Sequence, residues 1–126
     1  MRTVKEVAEQ LGFPEHTIRY YTDQGLVPDL KRDQNNIRLF DEGAVSWLLC
    51  AKHLRQCGMS IDDIRTYINL CRQGEATIGK RYEIMKKQRE TALAQLEEAR
   101  QRAKYIAEKT EQYSDFLTGR KAELKG

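Results

Sequence analysis

Residues that build reactive centres are scarce in this chain. It has two histidines, three cysteines and one tryptophan. Enzymes need a clustered nucleophile and base, or a metal cage, and His16 and His53 assemble neither. No catalytic residue, no metal and no cofactor are therefore expected. Cys50, Cys57 and Cys71 lack the spacing of a metal-ligand set or a disulfide framework, which agrees with a reducing compartment. Long apolar runs are missing too. Nothing approaches the roughly 20 consecutive apolar residues that span a bilayer, and no basic-then-apolar leader opens the sequence. A cytoplasmic protein with no membrane partner is the expectation. Prolines number two, and between Lys80 and Thr118 neither proline nor glycine occurs. At this length the chain allows one small globular domain plus an extension. Excess charge is slight: the formal net charge is +3, and because Lys and Arg balance Asp and Glu between Met1 and Gly58, that excess lies in the second half.

What is present is concentrated in Phe13 to Phe40. Val4, Val7, Ala8 and Leu11 recur at helical spacing, Thr3 stands three residues ahead of Glu6 as a capping box, and Gly12 breaks the helix. A second helix follows from Pro14 to Gln24. Its wheel turns Ile18, Tyr21 and Thr22 inward and His16, Arg19, Tyr20 and Asp23 outward, with Thr17 at the margin. Gly25 ends it and Pro28 keeps it ended. From Asp29 to Asn36 the chain is polar and turn-prone, and Ile37 to Phe40 alternates as a short strand does, so a hairpin is predicted. Asn36 suits a turn position because asparagine tolerates positive φ. A short helix with a polar, Arg-bearing face beside a polar hairpin is the layout of a winged helix-turn-helix, which makes double-stranded DNA the expected partner. His16, Thr17, Arg19 and Tyr20 would meet base edges or phosphates in the major groove, and Lys31, Arg32, Asn36 and Arg38 would grip phosphates from the wing. Because this half is formally neutral, the case rests on where those side chains point and not on bulk basicity.

These residues resemble the MerR family of bacterial transcription regulators. The likeness is carried by Thr17-Ile18-Arg19-Tyr20-Tyr21, by Gly25-Leu26-Val27-Pro28, by Arg38 in the wing, and by Leu54-Arg55-Gln56-Cys57-Gly58-Met59-Ser60-Ile61-Asp62-Asp63-Ile64. It covers roughly the first 70 residues. Two departures stand out: Pro14 replaces the usual Ser or Thr cap of the recognition helix, and no tyrosine precedes Arg38.

Beyond the wing, Asp41 can cap a third helix to about Cys57, apolar around most of its circumference from Ala44 to Ala51. Gly58 ends it. Ser60 with Asp63 reads as another capping box, and Ile61, Ile64, Tyr67, Ile68 and Cys71 form the inner stripe of a fourth helix, with Gly74 as a hinge. After the hinge a heptad seam runs through Ile78, Tyr82, Met85, Ala92, Leu96, Ala99, Ala103, Ile106 and Tyr113, interrupted by Arg89 and Thr110. One helix of that length, roughly 60 Å at 1.5 Å per residue, cannot bury its own stripe. A second copy of the chain is the simplest cover, and a two-fold dimer would read a palindromic operator. The predicted architecture is mainly α: a winged helix-turn-helix DNA-binding domain over 1–74, a dimerisation helix over 75–118, and a short polar tail over 119–126.

The family likeness implies further properties. It implies an antiparallel coiled coil between the two long helices, and activation by bending and untwisting a promoter whose spacer is too long, so that RNA polymerase finds its contacts aligned. Metal-responsive relatives place cysteines near the end of the long helix, whereas here no Cys or His follows Cys71. The tail is too short for a drug-binding domain, which leaves a small or reactive effector, or none. The stretch Leu49-Cys50-Ala51-Lys52-His53-Leu54-Arg55-Gln56-Cys57-Gly58-Met59 resembles the branch associated with aldehydes and other electrophiles. Cys50, His53 and Cys57 are accordingly the candidate sensor, with Lys52 placed to lower a nearby thiol's pKa. The reading preferred on packing grounds is that Cys50 and Cys71 are small buried residues and Cys57 fills a helix end.

Overall fold

The computed structural model describes residues 1–119, so the predicted tail lies outside the described residues apart from Gly119. Five α-helices and one hairpin follow in chain order: α1 (Val4–Leu11), α2 (Glu15–Asp23), β1 (Lys31–Arg32), β2 (Arg38–Leu39), α3 (Glu42–Gln56), α4 (Ile61–Arg72), a single 3-10 turn (Gly74–Thr77) and α5 (Ile78–Leu117). Two compact units divide the chain, the first running from Met1 to Met85 and the second from Lys86 onward.

Local chemistry explains the boundaries of the first unit. At α1 the Thr3 hydroxyl accepts from the Glu6 N–H while the Glu6 carboxylate accepts from the Thr3 N–H, completing the predicted capping box. Those Thr3 hydrogen bonds hold the Glu6 carboxyl below the ordinary carboxylate range. α2 starts on Pro14, which offers no side-chain cap, and the chain leaves it through Gly25 at φ 76. Asp41 caps α3 by accepting from the Ala44 N–H at 2.8 Å. Ser60 caps α4 through the Asp63 N–H. The reciprocal bond from Asp63 that a full capping box requires is not made, because Asp is one methylene shorter than the Glu that closes the loop at Thr3.

The hairpin is small. β1 and β2 pair antiparallel, Lys31 opposite Leu39 and Arg32 opposite Arg38. Its tip is organised by Asp33, whose carboxylate accepts from the N–H groups of Asn35 at 2.8 Å and Ile37 at 3.0 Å. Asn36 takes φ 61, the left-handed turn conformation. Its base is tied down by a backbone bridge between Arg2 and Phe40.

The core of this unit lies where α1, α2, α3 and α4 meet. Ile18, Leu26, Phe40, Leu48, Ile64 and Ile68 are fully buried in it, with Val7, Ala51 and Met59. Burial of each large aliphatic side chain stabilises by about 1.5–3 kcal/mol. Helix α3 contributes Ala44, Val45, Leu48 and Ala51, with Trp47 and Leu49 half-buried, so it is covered on more than one side as its composition predicts. Ile84 and Met85, from the start of α5, also pack half-buried against this core. Met85 was expected on the inter-subunit seam. In the single chain it is half-buried, within the compact first unit. The junction of α4 and α5 is knotted: the buried Thr77 hydroxyl lies on the carbonyls of Leu70 and Gly74, and Arg81 donates to Thr77 Oγ1 at 3.1 Å and to the Gly74 carbonyl at 2.9 Å.

In the second unit α5 continues from Lys86 to Leu117 with none of its side chains buried. An exposed ion pair between Arg100 and Glu97, joined by Gln101, decorates its surface. No helix among the described residues is long and apolar enough to cross a membrane.

Candidate nucleic-acid interface

Helix α2 turns the predicted faces in the predicted directions. Ile18 and Tyr21 are buried, Thr17 and Thr22 half-buried, and His16, Arg19, Tyr20 and Asp23 exposed. Phe13 meets Tyr21 edge-on, with ring centroids 6.1 Å apart, which seats the inner face. Thr22 is turned back on its own helix, its hydroxyl donating to the Arg19 carbonyl at 2.8 Å. Arg19 pairs with Glu15 one turn earlier at 3.2 Å, both side chains well exposed. Such a pair is worth about 0.3–0.5 kcal/mol and yields easily to a phosphate.

The wing stands beside this face. Arg38 is the least exposed of its cations and donates to Asp23 Oδ1 at 2.8 Å, bridging β2 to the end of α2. Its Nε is buried without a hydrogen-bond partner. Lys31 pairs with Asp41 at 3.1 Å, and that ammonium, after the stronger hold of the Ala44 N–H, helps keep the Asp41 carboxyl below its ordinary range. Arg32 donates to the Asn36 carbonyl at 3.0 Å across the tip. Arg32 and Arg38 therefore face each other across the strands with their guanidinium groups drawn to different partners.

Between wing and recognition helix lies an open groove of about 350 Å³. Arg19, Asn36 and Arg38 line it, and so do Thr3 and Lys5 at the first turn of α1. Sequence reasoning read Thr3 only as a cap and passed over Lys5. The signal available was weak, a single cation two residues after a helix cap. Three cations against one carboxylate, Glu15, give the groove a positive balance suited to a polyanion. Lys52 is placed differently from expectation. Its ammonium donates to the Leu11 carbonyl at 3.2 Å and sits 4.5 Å over the Phe13 ring, stapling α3 to the α1–α2 turn.

The cysteines do not form one group. Cys57 is exposed at the end of α3, as is His53, whereas Cys50 and Cys71 are half-buried. Burial, and then the neighbouring Cys71, push the Cys50 thiol up. Lys52 was expected to favour a thiolate nearby; its ammonium is engaged with the Leu11 carbonyl and the Phe13 ring instead. Burial also pushes the Tyr67 hydroxyl up, with Cys71 beside it and accompanied by Cys50. Sequence reasoning did not bring Cys50, Tyr67 and Cys71 together, because the two cysteines belong to different helices.

Along α5 the predicted seam lies open. Ile78, Tyr82, Leu96, Ile106 and Tyr113 are each more than half exposed, as are Leu93, Tyr105 and Phe116 off the seam. Of the small seam residues, Ala92 and Ala103 are exposed and Ala99 is half-buried.

A family model for the MerR HTH family regulatory proteins matches residues 2–71. The HTH-type transcriptional regulator AdhR of Bacillus subtilis is 34% identical over 87 residues, which is 69% of this chain and 62% of that relative's length. Among solved structures, a MerR family transcriptional regulator from Listeria monocytogenes is similar with a TM-score of 0.84 at 30% identity, covering 94% of this chain and 90% of the other. HiNmlR, a MerR family regulator lacking the sensor domain and bound to promoter DNA, is similar with a TM-score of 0.78 at 27% identity, covering 92% of each chain.

Proposed function

The chain belongs to the MerR family of helix-turn-helix regulatory proteins, a family of transcriptional regulators and not of enzymes, and from that premise we propose that it is a sequence-specific DNA-binding transcription regulator. One observation carries the reading: the exposed face of α2 and the wing share a cation-lined groove, with Arg19 on one wall and Arg38 on another. Arg19, Tyr20, His16 and Thr17 read the major groove. Lys31, Arg32, Asn36 and Arg38 hold the flanking phosphates, and the Glu15 and Asp23 carboxylates give way to DNA.

The protein works as a homodimer on a palindromic promoter site, in the cytoplasm where that DNA lies. Its long helices pair antiparallel through Ile78, Tyr82, Met85, Ala92, Leu96, Ala99, Ala103, Ile106 and Tyr113. The similarity to HiNmlR, which is bound to promoter DNA without a sensor domain, supports a short regulator acting directly on a promoter. Activation follows from distortion of an overlong spacer that brings RNA polymerase contacts into line. Deforming such a site costs on the order of 1–6 kcal/mol, within reach of a small effector acting at the end of α3 near Cys50, His53 and Cys57.

A titration of the full chain with duplex from its own upstream region tests this. Operator affinity should fall steeply as salt rises, and Arg19→Ala should cost about 1–3 kcal/mol of binding. Salt-insensitive binding, or an Arg19→Ala protein that binds like the parent, contradicts the reading.

A further inference from the structure

The recognition helix ends without a cation of its own, since the last turn of α2 holds no basic residue. The negative end of a helix dipole favours such a charge, and here it arrives from another element. Arg65 of α4 donates Nε to the Gln24 carbonyl at 2.6 Å and Nη2 to the Gln24 side-chain oxygen at 2.8 Å. Its Nη1 is held by Asp62 Oδ1 at 2.8 Å, on α4 itself. A guanidinium is planar, so three engaged donors fix its plane as well as its position. Gly25 follows directly, turning the chain away at φ 76 so close that an added Cβ would meet Arg65 Nε at 3.9 Å.

The other end of this strut is firm. α4 buries Ile64 and Ile68 in the core, and its C-terminal carbonyl at Leu70 is locked by Thr77. A second arginine of the same helix, Arg72, reaches Asp29 at 3.1 Å on the segment between α2 and the wing. Helix α2, by contrast, has no side-chain cap at its start. Its polar restraint comes at the far end, where Arg38 takes Asp23 and Arg65 takes Gln24.

We propose that Arg65 is a positioning residue for DNA reading: it locks the C-terminal end of α2 to α4 and so fixes the angle at which Arg19 and Tyr20 meet the groove. The proposal rests on the DNA-binding reading above. Arg65 acts through geometry, because three of its five N–H donors, one on each nitrogen, are already engaged by Gln24 and Asp62.

The test uses the full chain, palindromic duplex from its own upstream region, and an unrelated duplex of equal length, with fluorescence anisotropy over a range of salt. Wild-type protein that ignores both duplexes sinks the DNA-binding reading and this proposal with it. With wild-type binding established, Arg65→Ala should weaken operator binding about tenfold, while unrelated-duplex binding and the salt slope stay within about twofold. Arg65→Lys, which keeps the charge but loses the fork, should recover part of the loss. Equal losses on both duplexes with a shallower salt slope would make Arg65 a phosphate contact and overturn the proposal. An unchanged ratio of operator to unrelated binding would overturn it as well, whatever happens to the melting temperature. Should Arg65→Ala not fold, Gln24→Ala decides: it removes one acceptor and spares the backbone carbonyl, and a lowered ratio supports the strut while an unchanged one rejects it.

Discussion

From Met1 to Met85 the side chains of Ile18, Leu26, Phe40, Leu48, Ile64 and Ile68 are fully buried, whereas from Lys86 to Leu117 those of Leu93, Leu96, Tyr105, Ile106, Tyr113 and Phe116 all stand more than half exposed. The residue types are much the same. What differs is how many elements converge on them: four helices, a hairpin and the start of α5 surround the first set, and a single helix carries the second. Apolar composition therefore marks a surface that wants cover without saying whether the cover comes from the same chain. In the first unit the fold supplies it. In the second, the proposed cover is another copy.

The strongest way to break this contrast is to charge the seam. Leu96→Glu with Ile106→Glu should yield a monomer by sedimentation, with the first unit still folded by circular dichroism. Affinity for a palindromic duplex should then fall by about 10²-fold or more, because two linked readers become one. A double variant of unchanged mass would place the seam elsewhere. Truncation sharpens the same contrast. Leu48→Ala should destabilise by about 2–5 kcal/mol in urea unfolding, while Leu93→Ala should stay within about 0.5 kcal/mol. A larger cost at Leu93 would widen the covered face of α5 beyond the seam.

Acid sensitivity separates the units by the smallest margin. Asp41 and Glu6 sit in helix caps that hold their carboxyls low, so the stability they contribute is fully present above their ordinary values of 3.8 and 4.5 and is lost as pH falls through the depressed folded values. Asp41→Asn keeps a capping oxygen but cannot titrate. It should flatten the acid limb of the stability curve by lowering the neutral region, where the charged carboxylate and its Lys31 pairing contribute. Glu97 is also held low, first by Gln101 and then by Arg100, on the exposed surface of α5. Glu97→Gln should move the acid limb less than Asp41→Asn does. Urea titrations between about pH 6 and about pH 3 make the comparison.

Features written in short stretches of sequence were legible in advance. Thr3 with Glu6, Asp41 before Ala44, and the glycines at 12, 25 and 58 act within a few residues, and each sits where it was read. The outward face of α2 follows from its 3.6-residue period alone. Contacts fixed by how helices cross were not legible. Arg65 reaches Gln24, and Lys52 reaches Leu11, over 41 positions. The approach of Cys50 to Cys71 depends on the packing of α3 against α4. Arg38 could be placed in the wing from its neighbours, but its pairing with Asp23 could not, because no local rule says which carboxylate a wing will fold against.

The wing keeps its shape by its own means. Asp33 gathers two backbone amides and Asn36 supplies the left-handed corner, so the tip between them owes little to the helices behind it. Gln34, Asn35 and Ile37 are thus open to change at small cost to stability. Selection, or a designer, can change that fingertip while the palm that carries it stays as it is.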